Sequence, residues 1–409
     1  LLGAGENAGQ AAGGTTPPSQ RTSRKTVLLI AVAALVIIGG GLTWAFASGH
    51  TGTAAASVQS HPAKPAPPLH VVSMTPAAAT RQVNGAAPIT VVYSAPLAAS
   101  SPAPTFTPAM LGTWAPVMTK AKGKTKATAT DAMVFTPAAG FKPNSAVTMT
   151  IPAGPDGVRS AAGGQLTAEV TSTFHTGSYS TLRLQQLLAQ LGYLPLTWTA
   201  SGTSPSATDA QAQLSAAYSA PAGTFSWQGG YPSTLHSMWQ AGANNIIDVG
   251  AIRAFESVEG LTMDGVAGPT VWRDLLRAVA QGKDNPNGYT YALANQVGTE
   301  TLTIWHDGHI VLHSLANTGI PGAATAPGTF PVYEKLPFQI MKGTNPDGST
   351  YADPVVNVNY FDGGDAVHYF SRGSYGWRQS LGCVELPMAS SVTAYRYLSY
   401  GSLVTVTPL

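Results

Sequence analysis

"HYFSRGSYGWRQSLGCVELP", His368 to Pro387, holds the only cysteine of the chain, Cys383, and the last of its nine histidines, His368. A single cysteine cannot form a disulfide within its own chain. It is a reactive thiol, one half of an intermolecular bridge, or a buried small hydrophobe. The thiolate is the nucleophile and free cysteine titrates near about 8.5, so a reactive thiol needs a base or a positive partner close by. His368 lies 15 residues upstream (383 − 368). The intervening "YFSRGSYGWRQSL" is long enough to loop out and return the cysteine to the histidine. Gly382 lets backbone and substrate approach closely, and amide N–H groups around Cys383 could hold an oxyanion. Such a thiol attacks a carbonyl, forms a thioester and passes the acyl group to an amine or to water.

Outward from this stretch, residues 289–409 read as strands. "TLTIWHDGHIVLHS", Thr301 to Ser314, sets Leu302 and Ile304, then Asp307-Gly308, then Ile310 and Leu312. Asp-Gly between alternating runs predicts a hairpin. His306, His309 and His313 invite a metal reading, but no Cys, Asp or Glu set beside them has ligand-like spacing, so no metal and no cofactor is expected.

Residues 178–283 change period. "TLRLQQLLAQLGYLPL" puts Leu184, Leu187, Leu188 and Leu191 at helical spacing, with Gly192 as the stop. Further on, Ile252, Phe255 and Val258 share a face, and a second amphipathic stretch runs through Trp272, Leu275 and Leu276. Residues 70–177 return to short β-type runs such as "ITVVYS" and "AVTMTIP", divided by Pro, Gly and Asn, which fits an antiparallel sandwich. This region has no cysteine and no evident acid/base pair, so a spacer role is expected. Its basic run Lys120–Lys126 reads as a solvated loop or as a contact for acidic wall polymers.

The chain has 409 residues, only 10% of them charged, with 44 Gly, 31 Pro and a net charge of +2. The length suggests two or three domains and the composition favours β structure. The charge gives no field that would argue for nucleic acid, and no phosphate loop or dinucleotide fingerprint is present. Residues 1–25 read as a disordered cytoplasmic tail. Thr26 to Ala47 is an uncharged apolar run of the length that spans a bilayer, preceded by Arg21, Arg24 and Lys25, which predicts the remainder outside the membrane. The alternative is a cleaved signal, since Ala45-Phe46-Ala47 fits a small-x-small site. Residues 48–69 read as a Pro/Ala-rich spacer.

Three resemblances follow from these motifs. "MTPAAATRQVNGAAPITVVYSAPL" with "FTPAAGFKPNSAVTMTI" resembles bacterial immunoglobulin-like modules. "LQQLLAQLGY" with "AIRAFESVEGLTMDGVAGPTVWRDLL" resembles the peptidoglycan-binding helical module, interrupted by a long insert over 197–243; the alternative is that these helices only dock the next domain. "HYFSRGSYGWRQSLGCVEL", with "LTIWHDGHIVLHSLANTG" and "ATAPGTFPVY", resembles the L,D-transpeptidase catalytic domain of bacterial cell walls. The architecture implied is multidomain and mainly β with one α module: a transmembrane helix, an Ig-like sandwich, a small helical bundle and a β-sandwich catalytic domain whose site lies under a flap.

The last resemblance implies site residues. The family's base matches His368, the serine of its Ser-His-Gly-Cys signature matches Ser380, its glycine Gly382 and its nucleophile Cys383. Two departures stand out. The signature histidine is Leu381, and Glu385 stands where Arg or Asn is common; a carboxylate there would oppose thiolate formation if it pointed inward. The group that orients His368 is not readable from the sequence; Tyr369 follows it where some members have serine, which leaves a backbone carbonyl as one candidate. Arg372 and Arg378 are expected to bind stem carboxylates, with Tyr369 a further contact; Tyr375 and Trp377 read as loop anchors. The implied chemistry is attack of Cys383 on the third-to-fourth residue bond of a tetrapeptide stem, release of D-Ala and transfer to a neighbouring stem's amine in a 3→3 cross-link, with carbapenems acylating the same thiol. The alternatives are an L,D-carboxypeptidase using water and an inactive wall-binding protein.

Overall fold

The computed structural model describes residues 65–120 and 126–409. The expected tail, membrane helix and most of the Pro/Ala spacer (48–64 of 48–69) fall outside these residues, as does most of the basic run at Lys120–Lys126. Among the described residues no helix is long and apolar enough to cross a membrane.

Seven strands build the first domain. They are β1 (Val71–Thr75), β2 (Ile89–Tyr93), β3 (Thr105–Thr107), β4 (Gly112–Met118), β5 (Ala129–Pro137), β6 (Ala146–Ile151) and β7 (Val170–His175). One sheet runs β1-β2-β5-β4 and the other β3-β6-β7. Alternation explains the sandwich: Ile89, Val91 and Tyr93 point inward from β2, and Val147, Met149 and Ile151 meet them from β6. Leu69, assigned to the spacer by the sequence, is 2% exposed in this core, so the domain begins earlier than its composition suggests.

The helical module contains α1 (Thr181–Gln190), β8 (Leu196–Ala200), α2 (Ala210–Tyr218), β9 (Gly223–Trp227), α3 (Ser233–His236), α4 (Ile246–Glu259) and α5 (Pro269–Gln281). Its ends are written locally. Ser180 caps α1 and Asn245 caps α4 through side-chain oxygens. Pro269 opens α5, and Gly260 and Gly282 end α4 and α5 in left-handed backbone. The insert holds the β8–β9 ribbon with α2 and α3. Ile252 and Phe255 are buried as expected, whereas Val258 is exposed, because α4 turns that flank away from its neighbours.

The third domain has β10 (Thr290–Asn295), β11 (Thr301–His306), β12 (His309–Leu315), β13 (Gly328–Pro331), β14 (Glu334–Thr344), β15 (Thr350–Asp362), β16 (Asp365–Tyr369), β17 (Val384–Leu386), α6 (Met388–Tyr397) and β18 (Leu403–Val406). A five-stranded sheet, β12-β11-β10-β18-β13, faces a four-stranded sheet, β14-β15-β16-β17. Their shared core joins Leu302, Ile304, Val404 and Val406 to Phe361, Val367, Val384 and Leu386. Asp307-Gly308 turns β11 into β12, both residues at positive φ (46° and 77°). Ile310, part of the alternating hairpin pattern, is exposed: the pairing shifts register between Ile304 and Trp305, which sets Ile310 opposite Trp305.

The helical module and the third domain share one hydrophobic core. Leu187, Phe255, Trp272 and Leu275 pack in the same cluster as Tyr289, Tyr291, Trp305 and Leu403. Gly250 and Gly401 allow α4 and the turn before β18 to touch: a Cβ on Gly401 would lie 2.2 Å from the Gly250 carbonyl oxygen. The first domain joins the module mainly through polar contacts, including Gln211 Nε2 to the Ala86 carbonyl at 2.6 Å and Tyr218 OH to the Phe141 carbonyl at 2.5 Å.

Candidate active site

Strands β16 and β17 lie parallel, with Val367 opposite Val384, His368 opposite Glu385 and Tyr369 opposite Leu386. The two-residue period divides their side chains. Val367, Val384 and Leu386 enter the core, while Ala366, His368, Cys383 and Glu385 share the other face. That face opens on a cleft of about 730 Å³ lined by, among others, His368, Cys383, Asp365, Arg372, Leu381 and Tyr351. The β14–β15 hairpin forms the flap: Met341, Lys342, Asn345 and Asp347 reach the cleft from its outer half.

His368 is 3% exposed. Its Nδ1 lies 2.9 Å from the carbonyl oxygen of Tyr369. A carbonyl can only accept, so Nδ1 carries the proton and Nε2 of the neutral ring keeps its lone pair. Burial lowers the His368 pKa; the Tyr369 carbonyl and Glu385 oppose that shift, and Arg372 adds to it. Cys383 Sγ lies 3.8 Å from the Gly364 carbonyl. Burial pushes the Cys383 thiol up to about 12, with the Asp365 and Glu385 carboxylates adding to the rise and an Ala366 backbone N–H opposing it. With the thiol held up at about 12 and the imidazole pKa lowered by burial, the site favours a neutral thiol beside a neutral imidazole.

Ser380 shapes the loop that presents the thiol. Its Oγ–H donates to the Cys383 carbonyl at 2.6 Å, and its Oγ accepts from the Gly382 N–H at 3.3 Å. Gly382 has φ +119°, and an added Cβ would lie 2.2 Å from Asp365 Oδ1. The space that the sequence reserved for an approaching substrate is occupied by the Asp365 carboxylate. Behind the loop, Thr318 accepts the Gln379 and Ser380 amides, and Glu300 holds Thr318 through its N–H at 2.6 Å and its hydroxyl at 2.8 Å.

The structure redistributes the three residues expected to bind substrate. Arg378 Nε points at Glu300 Oε1, 3.7 Å away, and is not among the cleft-lining residues. The Tyr369 side chain falls on the face opposite His368, so this residue acts on the site through its carbonyl. Arg372 does line the cleft, but its Nε and Nη2 bind the Glu385 carboxylate at 2.8 and 2.7 Å, and Nη2 also reaches the Gln379 carbonyl at 2.9 Å. Asn317 adds a bond to Glu385 at 3.2 Å. The Glu385 carboxylate is therefore compensated by a guanidinium from the crossing loop. Leu381 lines the cleft as an apolar group. Tyr375 donates to the Phe370 carbonyl as a loop anchor at 2.6 Å, while Trp377 is exposed.

Sequence reading missed Asp365 and the flap residues. Strict alternation from His368 would send Asp365 to the other face. It reaches the cleft because it sits at the mouth of the Gly363-Gly364 turn, opposite Asp362. Among the described residues no group of three or more side chains is arranged to hold a metal. His306 and His313 instead bond Thr290 and Thr303 through Nδ1, at 2.9 and 2.8 Å.

Residues 290–406 match the model of the L,D-transpeptidase catalytic domain, and residues 65–176 match that of a bacterial Ig-like domain. Curated proteins show no match. Among solved structures, an L,D-transpeptidase from Mycobacterium smegmatis is 15% identical over 84% of this chain and 100% of its own, with a TM-score of 0.27. L,D-transpeptidase 3 from Mycobacterium tuberculosis is 14% identical over 83% and 98%, TM-score 0.27. The catalytic domain of the E. faecium L,D-transpeptidase is 27% identical over 29% of this chain and 95% of its own, also at 0.27. The matched segments and the two β-sandwiches give the chain an L,D-transpeptidase catalytic fold, carried behind a bacterial Ig-like domain.

Proposed function

We propose that the chain is a cysteine-dependent L,D-transpeptidase that joins peptidoglycan stems through a Cys383 thioester. The observation that carries this reading is the shared cleft of Cys383 and His368, with the Tyr369 carbonyl leaving Nε2 as the basic nitrogen. In the first step His368 Nε2 takes the thiol proton as sulfur attacks the carbonyl between the third and fourth residues of a tetrapeptide stem. The C–N bond breaks, and the proton passes to the departing D-Ala nitrogen. In the second step the side-chain amine of a third residue on a neighbouring stem attacks the thioester. The C–S bond breaks, His368 relays the amine proton to sulfur, and the 3→3 amide leaves. We assign the Cys383 amide N–H to the oxyanion and the remaining Nη1 of Arg372 to a stem carboxylate.

The rest of the chain serves delivery in this reading. Thr26–Ala47 anchors it, with residues 1–25 cytoplasmic and the remainder outside; the spacer and the Ig-like domain set reach. The helical module docks the catalytic domain and offers a contact for wall peptide, raising the effective concentration of an insoluble substrate. The test is mass spectrometry of a disaccharide-tetrapeptide incubated with the chain and with its Cys383→Ala variant. Loss of D-Ala with a cross-linked dimer, absent in the variant, supports the reading. Loss of D-Ala without a dimer, when excess acceptor is supplied, makes it a carboxypeptidase; unchanged substrate leaves a wall-binding protein.

A further inference from the structure

The cleft carries an excess of negative charge that the two catalytic steps described above do not use. Its charged lining consists of Asp347, Asp353, Asp365 and Glu385 against Lys342 and Arg372. The Arg372–Glu385 pair cancels internally, which leaves three carboxylates facing one lysine. Asp347 sits at the flap tip and is occupied by Ser349, whose N–H and hydroxyl reach it at 2.9 and 2.6 Å. Neither Asp353 nor Asp365 makes an ion pair among the described residues, and both are half-buried. Asp365 differs in its place: its Oδ1 occupies the space beside Gly382, next to Cys383. Burial and then Asp362 hold its carboxyl up at about 6, against the pull of the Ala326 backbone N–H, so it is ionised at neutral pH.

A carboxylate in this place opposes ionisation of the thiol and the build-up of charge on an attacked carbonyl. The partner it favours is a cation. The second reactant of the reaction proposed above enters water as an ammonium ion, since a primary alkylamine titrates near about 10.4. We propose that Asp365 is the specificity residue that seats the ammonium of the acceptor stem beside the Cys383 thioester. This rests on the transpeptidase reading for the identity of the acceptor. The seated ammonium loses one proton to solvent. The neutral amine then forms the new C–N bond, the C–S bond breaks, and the second amine proton returns to sulfur through His368. Water carries no such charge, so Asp365 favours amine over water as the acyl acceptor.

The test separates amine seating from turnover. Calorimetry measures binding of a synthetic stem tripeptide ending in a diamino acid, and of the same peptide acetylated on its side-chain amine, to the full chain carrying Cys383→Ala. Acetylation is expected to weaken binding about tenfold, the scale of one charge-assisted hydrogen bond. In Asp365→Asn, which keeps the volume beside Gly382, the two peptides are expected to bind equally. In the chain with its thiol intact, Asp365→Asn raises the acceptor KM by a similar factor and leaves the first burst of D-Ala unchanged or faster. Equal binding of free and acetylated peptide to the Asp365 chain, including no detectable binding of either, overturns the proposal. So does an Asp365→Asn chain that still prefers the free amine. Failure of the transpeptidase reading shows differently: no D-Ala is released by the intact chain, whatever the binding pattern.

Discussion

At the residue scale, the state of two protons governs the chemistry. With the Cys383 thiol held up at about 12 and the His368 pKa lowered by burial, a thiolate–imidazolium pair is disfavoured at rest. Alkylation of Cys383 by iodoacetamide is therefore expected to keep rising, about tenfold per pH unit, through pH 9; a plateau already reached at pH 7 would show a preformed thiolate. His368→Gln is expected to slow D-Ala release about 10²- to 10⁴-fold with little change in stem binding, read from kcat and KM separately. Gly382→Ala meets both a positive φ and the Asp365 carboxylate, so it should lower the acylation rate and the melting temperature together. Cys383 and His368 stood out in the chain because they and the loop between them lie within one short stretch; the group that orients the ring was not readable, because a backbone carbonyl leaves no residue signature. Asp365 was not, because its place depends on a turn that breaks strand alternation.

At the element scale, the crossing loop between β16 and β17 is held by charge. Glu385 is nearly buried and takes both a bidentate guanidinium from Arg372 and an amide from Asn317. Arg372→Ala leaves that carboxylate uncompensated and should cost on the order of 2 kcal/mol in urea unfolding, more than Glu385→Gln. The double variant should cost less than the sum of the two. A sequence shows a carboxylate two residues after the cysteine but not which arginine answers it; here the loop selects Arg372 and sends Arg378 to Glu300. Helix α4 adds a second titration. Burial raises both Asp248 and Glu256 to about 7. An acid whose pKa is raised on folding binds its proton more tightly in the native state, so its contribution to stability is fullest below about pH 4 and declines as pH rises toward 7. Asp248→Asn should therefore gain melting temperature relative to the parent between pH 5 and pH 8; a constant difference across that range would contradict the assignment.

At the scale of the whole molecule, the division of domains read from the sequence and the division of cores do not coincide. The change of period near residue 178 and the return to strands after residue 283 were legible from spacing alone. The shared core was not, since nothing in the spacing of Tyr289, Tyr291 and Trp305 assigns them to a neighbouring domain. Their packing against Phe255 and Trp272 makes the helical module part of the catalytic unit. A fragment beginning near residue 285 should expose this apolar face, bind a hydrophobic dye and give little soluble protein, whereas a fragment beginning near residue 178 should keep a cooperative melt. Equal solubility of the two would show the cores to be separable. The flap was expected only as a loop; it is a long hairpin whose Phe338 and Ile340 face solvent, which blurs the apolar alternation a reader would look for.

The most direct test of the account is to trap the acyl-enzyme. The chain is mixed with a disaccharide-tetrapeptide, without excess acceptor, quenched in acid within the first turnovers, digested and mapped by mass spectrometry. An adduct equal to the stem less its D-Ala is expected on the peptide that carries Cys383, formed in step with released D-Ala and lost under hydroxylamine as a thioester. Release of D-Ala with Cys383 unmodified at every time point, or an adduct on another residue, would contradict it.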